Sequence, residues 1–96
     1  MPKAFVIGHN TIKNQKNYKI YADQVPKTIE KFGGKFLSRG GEMLILDGEP
    51  PNKRNVLIEF PNMETAKAWY NSDDYQKIVS IRTMNAEGYL IIAEGV

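Results

Sequence analysis

A chain of 96 residues with 42% hydrophobic and 25% charged side chains makes one small globular domain and excludes intrinsic disorder. Its net charge of +2, from 13 basic and 11 acidic residues, is too mild to call for nucleic acid or an anionic membrane as a partner. With no cysteine, disulfides, thiolate catalysis and zinc–thiolate or iron–sulfur sites are excluded.

The apolar run near the start, Ala4 to Gly8, is too short for a signal peptide, and no segment approaches the roughly 20 apolar residues of a membrane span. The expectation is a cytoplasmic protein. Ala4 to His9 reads as a first strand, apolar on both faces and therefore central, with Phe5, Ile7 and His9 opposite Ala4, Val6 and Gly8. Asn10 to Lys13 connects it to a helix capped by Asn14, whose Tyr18, Tyr21, Ala22, Val25, Ile29 and Phe32 recur at helical steps. Pro26 predicts a kink, or two short helices meeting at Val25–Pro26, and Gly33 suits a left-handed stop.

Lys35 to Arg39 is a second strand. Glu42 to Leu46 resumes extended structure, Asp47 to Asn52 is turn material, and Val56 to Phe60 is the third strand. Asn62 caps a helix carrying Met63, Ala66, Trp69 and Tyr70. Ser72 caps the next, with Asp73 and Asp74 in its first turn and Tyr75, Ile78, Val79 and Arg82 following. Asn85 to Glu87 turns the chain into a last strand, Gly88 to Glu94. The order strand, helix, strand, strand, helix, strand predicts an α+β fold, a ferredoxin-like sandwich with a four-stranded antiparallel sheet and helices on one face. The other face offers apolar residues and cannot simply meet water, so a homodimer stacked sheet to sheet is expected.

The run Gly33 to Gly41, Ile58-Glu59-Phe60-Pro61, Ala68-Trp69-Tyr70-Asn71-Ser72, Tyr75-Gln76 and Arg82 together resemble the DUF1330 family, over nearly the whole chain. The resemblance implies a dimeric α+β barrel. Neighbouring families of that superfamily include cofactor-free monooxygenases, muconolactone isomerases and haem-degrading enzymes, an analogy of fold only. Asn14 and Gln15 stand where the family often has Asp-Pro, which changes the cap and not the fold.

The residues able to carry chemistry are few. His9, the one histidine, is a candidate general base or else a hydrogen-bonded strand-end residue. Arg39 and Glu59 fall on neighbouring strands; Arg39 would clamp a substrate carboxylate while Glu59 moves protons, against the plainer reading of an ion pair or two solvated charges. Trp69, Tyr70 and Tyr75 would wall a pocket for a planar ligand or simply fill the core, and Arg82 would reach a ligand anion or cap its helix. Arg54 reads as solvated. The glycine pairs match neither a dinucleotide fingerprint nor a phosphate loop, Asp73-Asp74 lacks calcium-loop spacing, and no metal or cofactor is expected. The third strand lacks an RNA-binding motif, the acylphosphatase arginine is missing between Gly8 and Lys13, and no helical histidine would ligate haem iron. The sequence therefore predicts a cofactor-free small-molecule enzyme of oxygenase or isomerase type, or a non-catalytic dimeric module binding an anionic or aromatic metabolite.

Overall fold

A computed structural model describes all of residues 1–96. The strand–helix–strand–strand–helix–strand order is present, as β1 (Ala4–Ile12), α1 (Gln15–Glu30), β2 (Lys35–Arg39), β3 (Arg54–Phe60), three short helices α2 (Met63–Tyr70), α3 (Asp73–Gln76) and α4 (Val79–Asn85), and β4 (Ala86–Glu94). The sheet order is β2-β3-β1-β4 and every pairing is antiparallel, which is the ferredoxin-like arrangement. No helix is long and apolar enough to cross a membrane.

Local chemistry explains the boundaries. Asn14 accepts from the Asn17 backbone N–H, Asn62 and Thr65 form a reciprocal capping box, and Ser72 accepts from Tyr75 N–H, so all three expected caps are in place. Gly33 takes the left-handed conformation (φ 75°). The Gly34 N–H then bonds the Ile29 carbonyl and the Gly33 N–H that of Glu30, closing the end of α1 in the six-to-one, five-to-two pattern a left-handed residue permits.

Four expectations are corrected. β1 runs on through Asn10 to Ile12, because Asn10 pairs with both Arg54 and Gly88 and the ladder to β4 continues to Ala86. Helix α1 continues through Pro26 instead of breaking there. Glu42–Leu46, which the expected four-strand order did not include, indeed stays outside the sheet, where β3 is already paired on both sides. The helix after Ser72 divides at Lys77–Ile78, and α4 passes directly into β4 without a turn.

The molecule is a slab 16 Å thick, the depth of one sheet and one helical layer. Between them lie Trp69, Tyr75, Phe60, Ile29 and Val6, the largest fully buried side chains. The Trp69 ring stacks at 4.3 Å from Tyr75 and 5.5 Å from Phe60, and its Nε1 donates to Thr28 Oγ1 (3.0 Å), so its one polar atom is satisfied. The opposite face of the sheet is bare. Phe5, Ile7, Leu57 and Ala93 are half-buried there, while Leu37, Tyr89 and Ile91 are 47, 44 and 50% exposed.

Candidate functional site

Strand parity decides which side chains reach the space between sheet and helices. Ala4, Val6, Gly8 and Asn10 of β1 align with Phe60, Ile58, Val56 and Arg54 of β3, all facing α1 and α2. On β2 the ladder slips by one residue between Phe36 and Ser38, so Phe36 pairs with Ile58 and Arg39 with Val56. This bulge at Leu37 turns Arg39 to the helix side, where unbroken alternation would have kept it with Lys35 and Glu59.

The consequence is a cavity between α1 and the sheet that collects every arginine of the chain: Arg39, Arg54 and Arg82. Tyr18, Tyr21, Phe36, Val56, Leu90 and Trp69 supply much of its apolar wall. The arginines are graded in depth, with Arg39 exposed, Arg54 half-buried and Arg82 only 9% exposed. No aspartate, glutamate or histidine lines the cavity, and all five ion pairs of the protein are made by lysines. Three guanidinium groups therefore border one cavity with no protein counter-charge, an arrangement that favours a bound anion.

Two of the arginines are held by neutral acceptors on α1. The Arg54 Nη1 donates to the Tyr18 hydroxyl (2.9 Å), with its guanidinium 5.3 Å from that ring. Arg39 stacks 4.4 Å from the Phe36 ring and donates Nη2 to the Ala22 carbonyl. That carbonyl is free because Pro26, four residues on, has no N–H to give it. The proline thus leaves an acceptor on α1, and an arginine from the sheet edge occupies it. Gly40, at φ 66°, makes room beside them, since a Cβ there would lie 2.8 Å from Arg54 Nε.

The chamber is small, about 20 Å³, which is room for one water. It abuts an open vestibule of about 560 Å³ that shares Asn10, Tyr18, Ala22 and Arg54 with it and adds Lys19 and Lys53. Only the vestibule has ligand-site dimensions, so anything larger than water must displace the arginine–α1 bonds to enter. Two buried polar atoms of the lining residues have no partner, Asn10 Oδ1 and Arg82 Nε. Behind the wall the Tyr21 and Tyr75 hydroxyls bond each other at 2.8 Å. Burial, then the neighbouring Tyr75, pushes Tyr21 far above the ordinary phenol range; burial also raises Tyr75, against the opposing pull of Tyr21 and Arg82.

His9, Arg39 and Glu59 do not converge, and the plainer readings hold for His9 and Glu59. His9 and Glu59 have the opposite strand parity from Arg54 and lie on the bare face. Glu59 is held by Lys3 and Lys35 at 3.3 Å each; its partial burial raises the carboxyl's pKa, and the two ammonium groups more than reverse this, leaving it below the usual range. His9 is buried with both ring nitrogens occupied: Nε2 accepts from Asn52 N–H (3.3 Å), so Nδ1 carries the hydrogen and donates to Asn55 Oδ1 (2.8 Å). It braces the loop before β3. Trp69 and Arg82 do line the cavity; Tyr75 stands one layer behind, and Tyr70 borders a separate shallow cleft with Val6 and Ile92. Arg54, expected to be solvated, and Asn10, expected in a connector, both belong to the site, Arg54 being half-buried and bonded to Tyr18. The signal was alternation itself, because each continues the buried parity of its strand by two residues.

The sequence matches none of the curated proteins. The chain is similar in structure to RPA0582, a protein of unknown function from Rhodopseudomonas palustris, at 16% identity and a TM-score of 0.77, over 99% of this chain and 83% of that one. It is similar to SnoaB, a cofactor-independent oxygenase from Streptomyces nogalater, at 5% identity and a TM-score of 0.64, over 97% and 92%. A conserved protein from Methanosarcina mazei Go1 aligns at 15% identity and a TM-score of 0.63, over 100% and 95%. At such identities the likeness shows the fold alone. The family model for the domain of unknown function DUF1330 matches residues 3–96, and the chain belongs to that family.

Proposed function

We propose that this protein is a homodimer that takes a small organic anion into the arginine-lined cavity of each protomer. The observation that carries the reading is that all three arginines of the chain meet at one cavity without a carboxylate. A guanidinium bonded to a neutral carbonyl or hydroxyl gains by exchanging it for a carboxylate, a stronger acceptor that matches its fork. The bare sheet face, with Phe5, Ile7, Leu57, Tyr89 and Ile91, supports pairing of two copies through their sheets. We place the protein in the cytoplasm, in keeping with its cysteine-free composition, with neither nucleic acid nor membrane as partner.

A cofactor-free reaction of isomerase or oxygenase type is the extension of this reading, and the chemistry of the cavity limits its form. No carboxylate or imidazole stands there to remove a proton. A substrate would ionise by giving its proton to solvent water, the field of the arginines favouring its anionic form, while the Tyr21–Tyr75 pair behind the wall stays protonated and takes no proton. A metabolite-binding module needs only the first step. Thermal unfolding with benzoate, succinate and inorganic phosphate tests the shared core, since a ligand at about 100 times its Kd adds about 2.7 kcal/mol of stability. At least one acid should raise Tm in the native protein and fail to do so in Arg54→Ala. Three silent acids would remove the reading, and product analysis with a binding acid separates enzyme from module.

A further inference from the structure

The vestibule outside the chamber is as one-sided in charge as the chamber itself. Lys19, Lys53 and Arg54 line it, no acidic residue does, and most of its wall is polar. The Arg54 guanidinium lies against two vestibule residues, Tyr18 and Gly40. Its Nη1 is taken by the Tyr18 hydroxyl, while Nε and Nη2, the edge that receives a carboxylate through two parallel bonds, have no acceptor. Gly40 faces that edge without a side chain; a Cβ there would lie 2.8 Å from Nε and 3.2 Å from Nη2. Lys53 is exposed and takes part in none of the five ion pairs, whereas Lys19 is held by Asp23 at 2.7 Å. Gln15, Tyr18, Lys19 and Ala22 run one face of α1 along the vestibule, starting from a first turn that has no acidic side chain to offset the positive end of the helix.

A single carboxylate would answer Arg54 and leave Lys53 without a counter-charge, and a polar wall offers little to an aromatic ring. We propose, resting on the anion reading above, that the ligand is a short aliphatic diacid seated in the vestibule. One carboxylate meets the arginines where chamber and vestibule join, taking the open edge of Arg54. The second pairs with the Lys53 ammonium, a point charge on a flexible four-carbon stem that can follow it. The carbon chain between them stays in the space of about 560 Å³ and has no need of the water-sized chamber behind.

Calorimetric titration of the full chain at low salt with succinate and butyrate, acids of equal chain length that differ by one carboxylate, tests this. Succinate should bind about threefold to tenfold tighter, the roughly twofold statistical gain of two identical ends multiplied by one exposed ion pair. Added salt should erase the ion-pair part of that margin. Lys53 is exposed, so Lys53→Ala keeps the fold; in it the margin should fall to about twofold with butyrate affinity unchanged, while Arg54→Ala should weaken both acids alike. Succinate within about twofold of butyrate in the native protein, a margin that survives Lys53→Ala, or inorganic phosphate binding tighter than succinate each overturns the diacid assignment. If butyrate still binds through Arg54 in that case, the anion reading stands and only the second carboxylate has been misjudged. If no acid binds, both fall together.

Discussion

Substituting Pro26→Ala isolates the device that holds Arg39. In a helix interior proline is about 3 kcal/mol less favourable than alanine, because it lacks the N–H and crowds the carbonyl four residues back. Restoring the N–H lets α1 satisfy the Ala22 carbonyl itself, which evicts the Arg39 guanidinium. Losing proline's restriction of the unfolded chain takes back about 0.4–1 kcal/mol. Losing the Arg39 bond takes back about 1 kcal/mol more, since Arg39 is exposed and water replaces the carbonyl. The net expectation is a gain of about 1–2 kcal/mol, roughly 5–15 °C in Tm for a domain this size. Urea denaturation of a double-mutant cycle is the assay. Arg39→Ala should cost about 1 kcal/mol in the native background and nearly nothing once Pro26→Ala is present. An equal cost in both backgrounds, or destabilisation by Pro26→Ala, would refute the coupling between proline, carbonyl and arginine. The freed arginine should also bind benzoate more tightly.

The buried tyrosine pair predicts an alkaline limit. Folding raises the Tyr21 and Tyr75 pKa values above the ordinary 10.0, so their contribution is complete below that pH and is lost as the unfolded chain begins to release both protons above about pH 10. Tm against pH should fall there, and it should fall less in Tyr21→Phe; a flat profile would contradict the burial. On the bare face, Ile91→Lys should convert a dimer to monomers in sedimentation at micromolar concentration without unfolding the protomer, because Ile91 is half exposed in a single copy. A native protein that sediments only at 10.9 kDa would remove the sheet-to-sheet dimer.

The fold was legible because its signals are local. Three side-chain caps, the Gly33 stop and the alternation of β1 and β3 all stand in the sequence as they stand in space. The site was only half legible. Arg39 and Glu59 share a parity in the sequence, and the single-residue bulge at Leu37 sends them to opposite faces; whether a ladder slips is settled by packing, not by the five residues of β2. Asn10 and Arg54 were hidden for a different reason. Both are polar, so each strand seemed to stop short of them, yet backbone pairing carries the ladder onward and delivers them to the cavity. His9 shows the converse, a residue with catalytic credentials whose two nitrogens are consumed by a loop.

Arginine side-chain NMR reaches the central claim most directly, because the chain has three arginines and therefore three Nε–H signals. Titrating the labelled protein with benzoate or succinate should move the Arg39 and Arg54 signals, whose present acceptors on α1 an acid displaces. Three signals that stay fixed with each acid to about 10 mM, where even millimolar binding would register, would mean that the cavity does not receive an anion.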